Sequence, residues 1–178
     1  VTFDPGKNHY ELFGFPVAFD LDGGELARRY RELARRVHPD KFATASDAER
    51  RLSMQMTAAA NEAYQTLRDP VRRARYLLEL RGLAVDSETD TAMDPQFLAE
   101  QMELRESLAE VREAAEPRKR LAELDRDAEQ RLNRKMDEFR AAYAGGGERL
   151  REARDRLREM QFLAKLKREI EDLEEELA

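Results

Sequence analysis

Few residues in this chain are of types that carry chemistry, and three of them are adjacent: His38, Pro39 and Asp40. An imidazole beside a carboxylate is a general acid–base pair in principle. The same aspartate could instead accept charge-assisted hydrogen bonds from a partner's arginine. The rest of the chain favours the second reading. There is no cysteine and there are only two histidines, so neither a thiolate centre nor a His-rich metal site can be assembled. No nucleophile, ligand set or glycine-rich phosphate loop accompanies the pair. The expectation is a recognition corner, with no enzyme activity, metal or cofactor.

The flanking residues say what must present that corner. Proline disfavours helix at the residue before it and has no N–H of its own, so a helix reaching His38 has to stop. One does reach it, over Glu25 to Val37. Asp22 and Glu25 have the spacing of an acidic capping box. Leu26, Tyr30, Leu33 and Val37 then recur at four, three and four residues, one face of a helix. At about 100° per residue Arg28, Arg31 and Arg35 share the opposite face, and Arg29 and Arg36 flank the apolar stripe.

After Lys41 and Phe42, Ser46 and Glu49 form a second capping box. Leu52, Met56, Ala59, Ala63 and Leu67 mark one helical face as far as Arg68. Asp69 and Pro70 stop that helix and start another, through Tyr76, Leu77 and Leu80 to Gly82. A short helix around His9 to Gly14 precedes them all. The expectation for residues 1–82 is a pair of long antiparallel helices clasped by two short ones.

Residues 83–93 are polar, without periodicity, and read as a linker. Residues 94–178 read as a three-helix bundle. Its helices run from Pro95 to Ala115, from about Arg118 to Ala144, and from Glu148 to Leu177, broken by Glu116-Pro117 and Gly145-Gly146-Gly147. The fold class is all-α with no strand candidate. Charged residues make up 39% of the 178 and aromatics 7%, which suits helices with wide solvated faces. No apolar run approaches a membrane span and no signal-peptide pattern opens the chain, which favours the cytoplasm.

Charge is unevenly placed. Residues 1–80 hold 13 Lys and Arg against 12 Asp and Glu, a balance of +1; residues 81–178 hold 19 against 26, a balance of −7. An acidic second half argues against nucleic acid as a main partner. On its first helix Phe97, Leu104, Leu108 and Val111 fall on one face and are expected as core. Leu98, Ala99 and Met102 lie on another, with Glu103, Glu106 and Glu110. They either widen the core or form a mixed apolar–acidic binding patch. Phe162 stands off the main stripe of the last helix, as a binding anchor or as core edge.

The segments Leu12-Phe13-Gly14, His38-Pro39-Asp40-Lys41-Phe42, Tyr64-Gln65-Thr66-Leu67-Arg68-Asp69-Pro70 and Arg72-Arg73-Ala74-Arg75-Tyr76-Leu77-Leu78 resemble a J-domain of the HscB type. The resemblance continues through Phe97 to Glu106 and through Met160 to Leu166, covering nearly the whole chain. It implies a J-domain co-chaperone of iron–sulfur cluster assembly, which carries the scaffold IscU to the DnaK-family chaperone HscA and stimulates its ATPase. It implies chaperone binding through His38, Pro39, Asp40 and Lys41 with Arg28, Arg29, Arg31, Arg35 and Arg36. Scaffold binding is implied for Leu98, Ala99, Met102, Glu103, Glu106, Glu110 and Phe162. Ala99 stands where a larger apolar residue is expected. The absence of cysteine leaves no cysteine-rich metal module of the eukaryotic members, which implies a bacterial, cytoplasmic form. A rival reading keeps the J-domain but gives the bundle another client. A second rival makes the near-heptad of the last helix an oligomerising coil, but its 3,3,3 interruption disturbs a continuous seam, so a monomer or weak dimer is expected.

Overall fold

The computed structural model describes residues 6–83 and 94–178, and among them there are seven α-helices, two 3-10 turns and no strand. The helices are α1 (His9–Phe13), α2 (Gly23–Val37), α3 (Asp47–Arg68), α4 (Pro70–Leu80), α5 (Pro95–Glu110), α6 (Pro117–Gly145) and α7 (Arg149–Glu176). They divide into two compact units, Val1–Leu80 and Arg81–Ala178. The expected linker lies, apart from Leu83, outside the described residues.

Helix ends follow their capping residues. Ser46 and Glu49 complete both halves of their box on α3. Asp69 accepts from the Val71 and Arg72 amides at the start of α4, and Asp94 from that of Gln96 at the start of α5. The Asp22–Glu25 box is only half made. Asp22 caps the Glu25 amide, but the Glu25 carboxylate turns forward to Arg28 and Arg29, because two cations outcompete one backbone N–H. α1 carries a complete box of its own, between Asn8 and Glu11.

In the first unit α2 and α3 pack as the expected hairpin around Leu26, Val37, Met56, Ala63 and Leu67, with Tyr10 and Phe13 of α1 and Leu77 and Leu78 of α4 closing it. On α3 Ala60 is buried while Ala59 is only partly so, and the core face includes Ser53. α1 is tied to α4 by the Tyr76 hydroxyl, which accepts from the His9 amide at 3.0 Å while the two rings stack.

The second unit is a three-helix bundle. α5 stops at Glu110 rather than running to Ala115, and Val111–Glu113 tightens into a 3-10 turn. Pro117 keeps the chain from continuing as one helix into α6: its ring disfavours helix at Glu116 and would clash with the Glu113 carbonyl. Leu104 and Val111 meet Leu121, Leu124 and Ala128 of α6 and Leu163, Leu166, Ile170 and Leu173 of α7 in one core. Each such leucine contributes about 2 kcal/mol on burial. The near-heptad stripe of α7 is therefore enclosed within its own unit, not presented as an oligomerising seam.

A charged layer interrupts the α6–α7 packing. Glu159 is 4% exposed, and its carboxylate is held by Lys135 at 2.9 Å and Arg156 at 2.8 Å. Glu138 in turn accepts from Lys135 at 3.1 Å and lies 3.4 Å from Arg156. Two cations facing two carboxylates leave no lone buried charge, which is what makes this layer tolerable inside a bundle.

Candidate docking faces

His38 closes α2 in an extended conformation, φ −58° and ψ 130°, as the following proline requires. Pro39–Phe42 then forms a 3-10 turn not foreseen from the sequence. Its first bond runs from the Lys41 amide to the His38 carbonyl, at 3.0 Å. The His38 ring bends over the turn, where Nδ1 accepts from the Asp40 amide at 3.3 Å. The Asp40 carboxylate, 91% exposed, stays 3.5 Å from Nδ1. It points its acceptors outward with no arginine or lysine paired to it among the described residues. The corner offers an exposed carboxylate to an incoming donor.

The arginines of α2 are not equivalent. Arg31, Arg35 and Arg36 are exposed and make no ion pair among the described residues. Arg28 is gripped by Glu25 and Glu32, each at 2.7 Å. Hydrogen bonds from Arg28 and then Arg29 pull the Glu25 carboxyl down to about 2, and Glu25 raises Arg28 in return. Arg29 faces the other way. Its guanidinium donates to the Phe13 and Gly14 carbonyls at 2.9 and 2.7 Å and stacks over the Phe15 ring. Gly14, at φ 71°, turns the chain so that those two carbonyls converge. Arg29 therefore staples the end of α1 to α2, leaving Arg31, Arg35 and Arg36, with Lys41 beyond the corner, as the open cations.

The sequence left open whether Leu98 and Met102 widen the bundle core. They do not: they are 44% and 65% exposed, while Phe97 and Leu104 on the other face of α5 are buried. Ala99, Glu103, Glu106 and Glu110 are exposed beside them, and those three glutamates make no ion pair among the described residues. Other charges hold the helix in place. Glu100 meets Arg131 of α6 at 3.4 Å, and Arg105 pairs with Glu169 of α7, as Arg112 of the following turn does with Glu176.

Phe162 differs from what an exposed anchor would be. It is half-buried against the core, its ring meets Phe97 edge-to-face at 5.8 Å, and the Arg105 guanidinium lies over it at 5.4 Å. Only its rim is available beside the α5 patch. Among the described residues no group of three His, Asp or Glu side chains could hold a metal ion.

Comparison with known proteins covers both units. Residues 8–76 match the DnaJ domain and residues 93–171 the HSCB C-terminal oligomerisation domain. The chain is 43% identical over 170 residues to a co-chaperone protein HscB homolog of Vibrio cholerae, covering 96% of this chain and 98% of that one. With the homolog of Shewanella oneidensis the identity is 46% over 173 residues, at the same coverage. Among solved structures the fold is similar to chaperone HscB from Vibrio cholerae, with a TM-score of 0.87 and 41% identity over 97% of this chain and all of that one. Human co-chaperone protein HscB is similar at a TM-score of 0.86 and 32% identity, covering 94% of this chain and 82% of that one. A DnaJ domain joined to this second domain, with such identity along nearly the full length, means that the chain belongs to the HscB family of co-chaperones.

Proposed function

We propose that this co-chaperone delivers the iron–sulfur scaffold IscU to HscA and stimulates that chaperone's ATPase through the corner at His38, Pro39 and Asp40. The chain is not itself an enzyme; ATP is hydrolysed in its DnaK-family partner. In this reading residues 1–82 are the chaperone-facing domain and residues 94–178 the scaffold-binding one. Asp40 receives a basic group of the chaperone, and Arg31, Arg35, Arg36 and Lys41 steer its acidic surface. Leu98 and Met102 bury against the scaffold while Glu103, Glu106 and Glu110 select a basic rim around its apolar contact. Ala99 adds little area, and Phe162 backs the patch through Phe97 rather than anchoring it alone.

The observation that carries the reading is the exposure of Leu98 and Met102 among three unpaired carboxylates, on the chain that also bears the exposed Asp40 corner. The protein is proposed to act as a monomer or weak dimer in the bacterial cytoplasm. Among the described residues no helix is long and apolar enough to cross a membrane.

The test is the ATPase rate of an HscA-type chaperone with this protein, with an IscU-type scaffold, and with both. Stimulation greater than the sum of the separate effects is expected. Asp40→Asn should abolish stimulation by the protein while leaving its scaffold affinity, measured by calorimetry, unchanged. Purely additive rates would remove the delivery role, and full stimulation by Asp40→Asn would remove the corner from it.

A further inference from the structure

The carbonyl of Val37 is the last of α2 before the corner, and Val37 is 1% exposed. In a continuing helix it would accept from the amide of Lys41, four residues on. That amide bonds instead to the His38 carbonyl at 3.0 Å, closing the 3-10 turn. Pro39 has no N–H to offer. The Val37 carbonyl is thus supplied entirely from another helix. The Ser53 hydroxyl of α3, on a residue only 2% exposed, donates to it at 2.6 Å, and the Thr57 hydroxyl approaches it at 3.3 Å while bonding to the Ser53 carbonyl at 2.9 Å.

From this arrangement we infer that Ser53, seconded by Thr57, is a positioning residue for chaperone stimulation. It fixes the direction in which the chain leaves α2 and so the aim of the Asp40 carboxylate. The bond holds the last carbonyl of α2, immediately before the 3-10 turn. Without the hydroxyl a buried carbonyl lacks a donor, and the end of α2 gains by shifting to give that carbonyl access to water. Such a shift swings Asp40 with it. Ser53 touches neither partner, and the inference rests on the reading that this corner engages a DnaK-family chaperone.

The test compares the full chain with its Ser53→Ala/Thr57→Val and Thr57→Val variants, using ATP turnover of an HscA-type chaperone titrated with each. Maximal stimulation by the double variant should fall about fivefold, as displacement of an aligned group does. The half-saturating concentration should stay within about twofold, because Arg31, Arg35 and Arg36 keep their places. Thr57→Val alone should show the same split more weakly. Amide exchange at Lys41 should quicken in both variants. A merely structural role predicts a lower melting temperature with unchanged maximal stimulation below it, and that result overturns the inference. So does a loss confined to the half-saturating concentration. If the double variant does not fold, by circular dichroism, Thr57→Val and its Lys41 exchange decide. Asp40→Asn, run alongside, separates the two claims. Its loss of stimulation with a fully active double variant rejects the role of Ser53 only, whereas full activity of Asp40→Asn rejects the chaperone reading beneath it.

Discussion

The outward faces of α2 and α5 are built on opposite principles. On α2 the exposed side chains are charged, four arginines and Glu32 with no apolar residue among them, and the chain goes on to the exposed Asp40 carboxylate. On α5 two large apolar side chains stand among carboxylates. A face of charge alone attracts from a distance and releases readily, since water and salt compete for every contact. Apolar area gives no long-range pull but slows departure once buried. The pairing suits an adaptor that meets its chaperone briefly and holds its cargo meanwhile.

If the proposed scaffold grip of α5 rests on apolar area, its loss should be the largest effect. Leu98→Ala with Met102→Ala should weaken scaffold binding about 100-fold, at roughly 1.5 kcal/mol per side chain. Stimulation of the chaperone by the protein alone should be unaffected. A change below threefold in calorimetric affinity would assign the grip to Glu103, Glu106 and Glu110 instead. Phe162→Ala is a poorer probe, because it also removes the ring that Phe97 packs against.

On α2 the sharpening test is between arginines. Arg35→Ala with Arg36→Ala should raise the half-saturating chaperone concentration about tenfold at low salt, with no loss of thermal stability. Arg29→Ala should do the reverse. It should cost about 2 kcal/mol of stability through its two carbonyl bonds, read by urea titration, with the half-saturating concentration unchanged below the unfolding transition. Equal effects of the two variants would mean that the face acts as one undivided patch.

The smallest effect concerns pH. Burial lowers the pKa of His9 from its usual 6.5, against the opposing pull of Glu62 and Glu79. A lowered value means that the unfolded chain takes up the proton first. Stability of the first unit should therefore be full above about 6.5 and decline as pH falls from there toward the depressed value. His9→Gln should flatten that part of the profile, and an unchanged slope would show that α1 docking does not depend on the neutral ring.

Helical periodicity and caps made most of the fold legible: Ser46, Asp69, Asp94 and the three-glycine turn all mark real boundaries. What stayed hidden was the use of polar side chains at the margins of apolar stripes. Arg29 lies 40° from Leu33, Glu159 40° from Leu163 and Lys135 40° from Phe139 at about 100° per residue. From the sequence each could equally face water. Which of them turned inward depended on what a second helix brought opposite, and spacing along one helix cannot say that. Ser53 is similar: the spacing marked Leu52 rather than Ser53 for the core face of α3, and the purpose of its hydroxyl appears only when the Val37 carbonyl is seen without a backbone donor. The exposure of Leu98 and Met102 was the alternative left open, settled by the way α5 turns Phe97 and Leu104 inward.

The charged layer at Lys135, Glu138, Arg156 and Glu159 also bears on how this bundle can change over generations. An apolar core position such as Leu124 or Leu166 can drift through Met or Ile, each step costing little. Lys135→Met alone leaves Glu159 to Arg156 while Glu138 loses its nearer cation, and Glu159→Leu alone leaves two cations facing Glu138. Single steps out of the layer descend before the joint replacement recovers. Lineages of this chain should therefore keep or exchange those four residues as a block, while the leucines on either side vary independently.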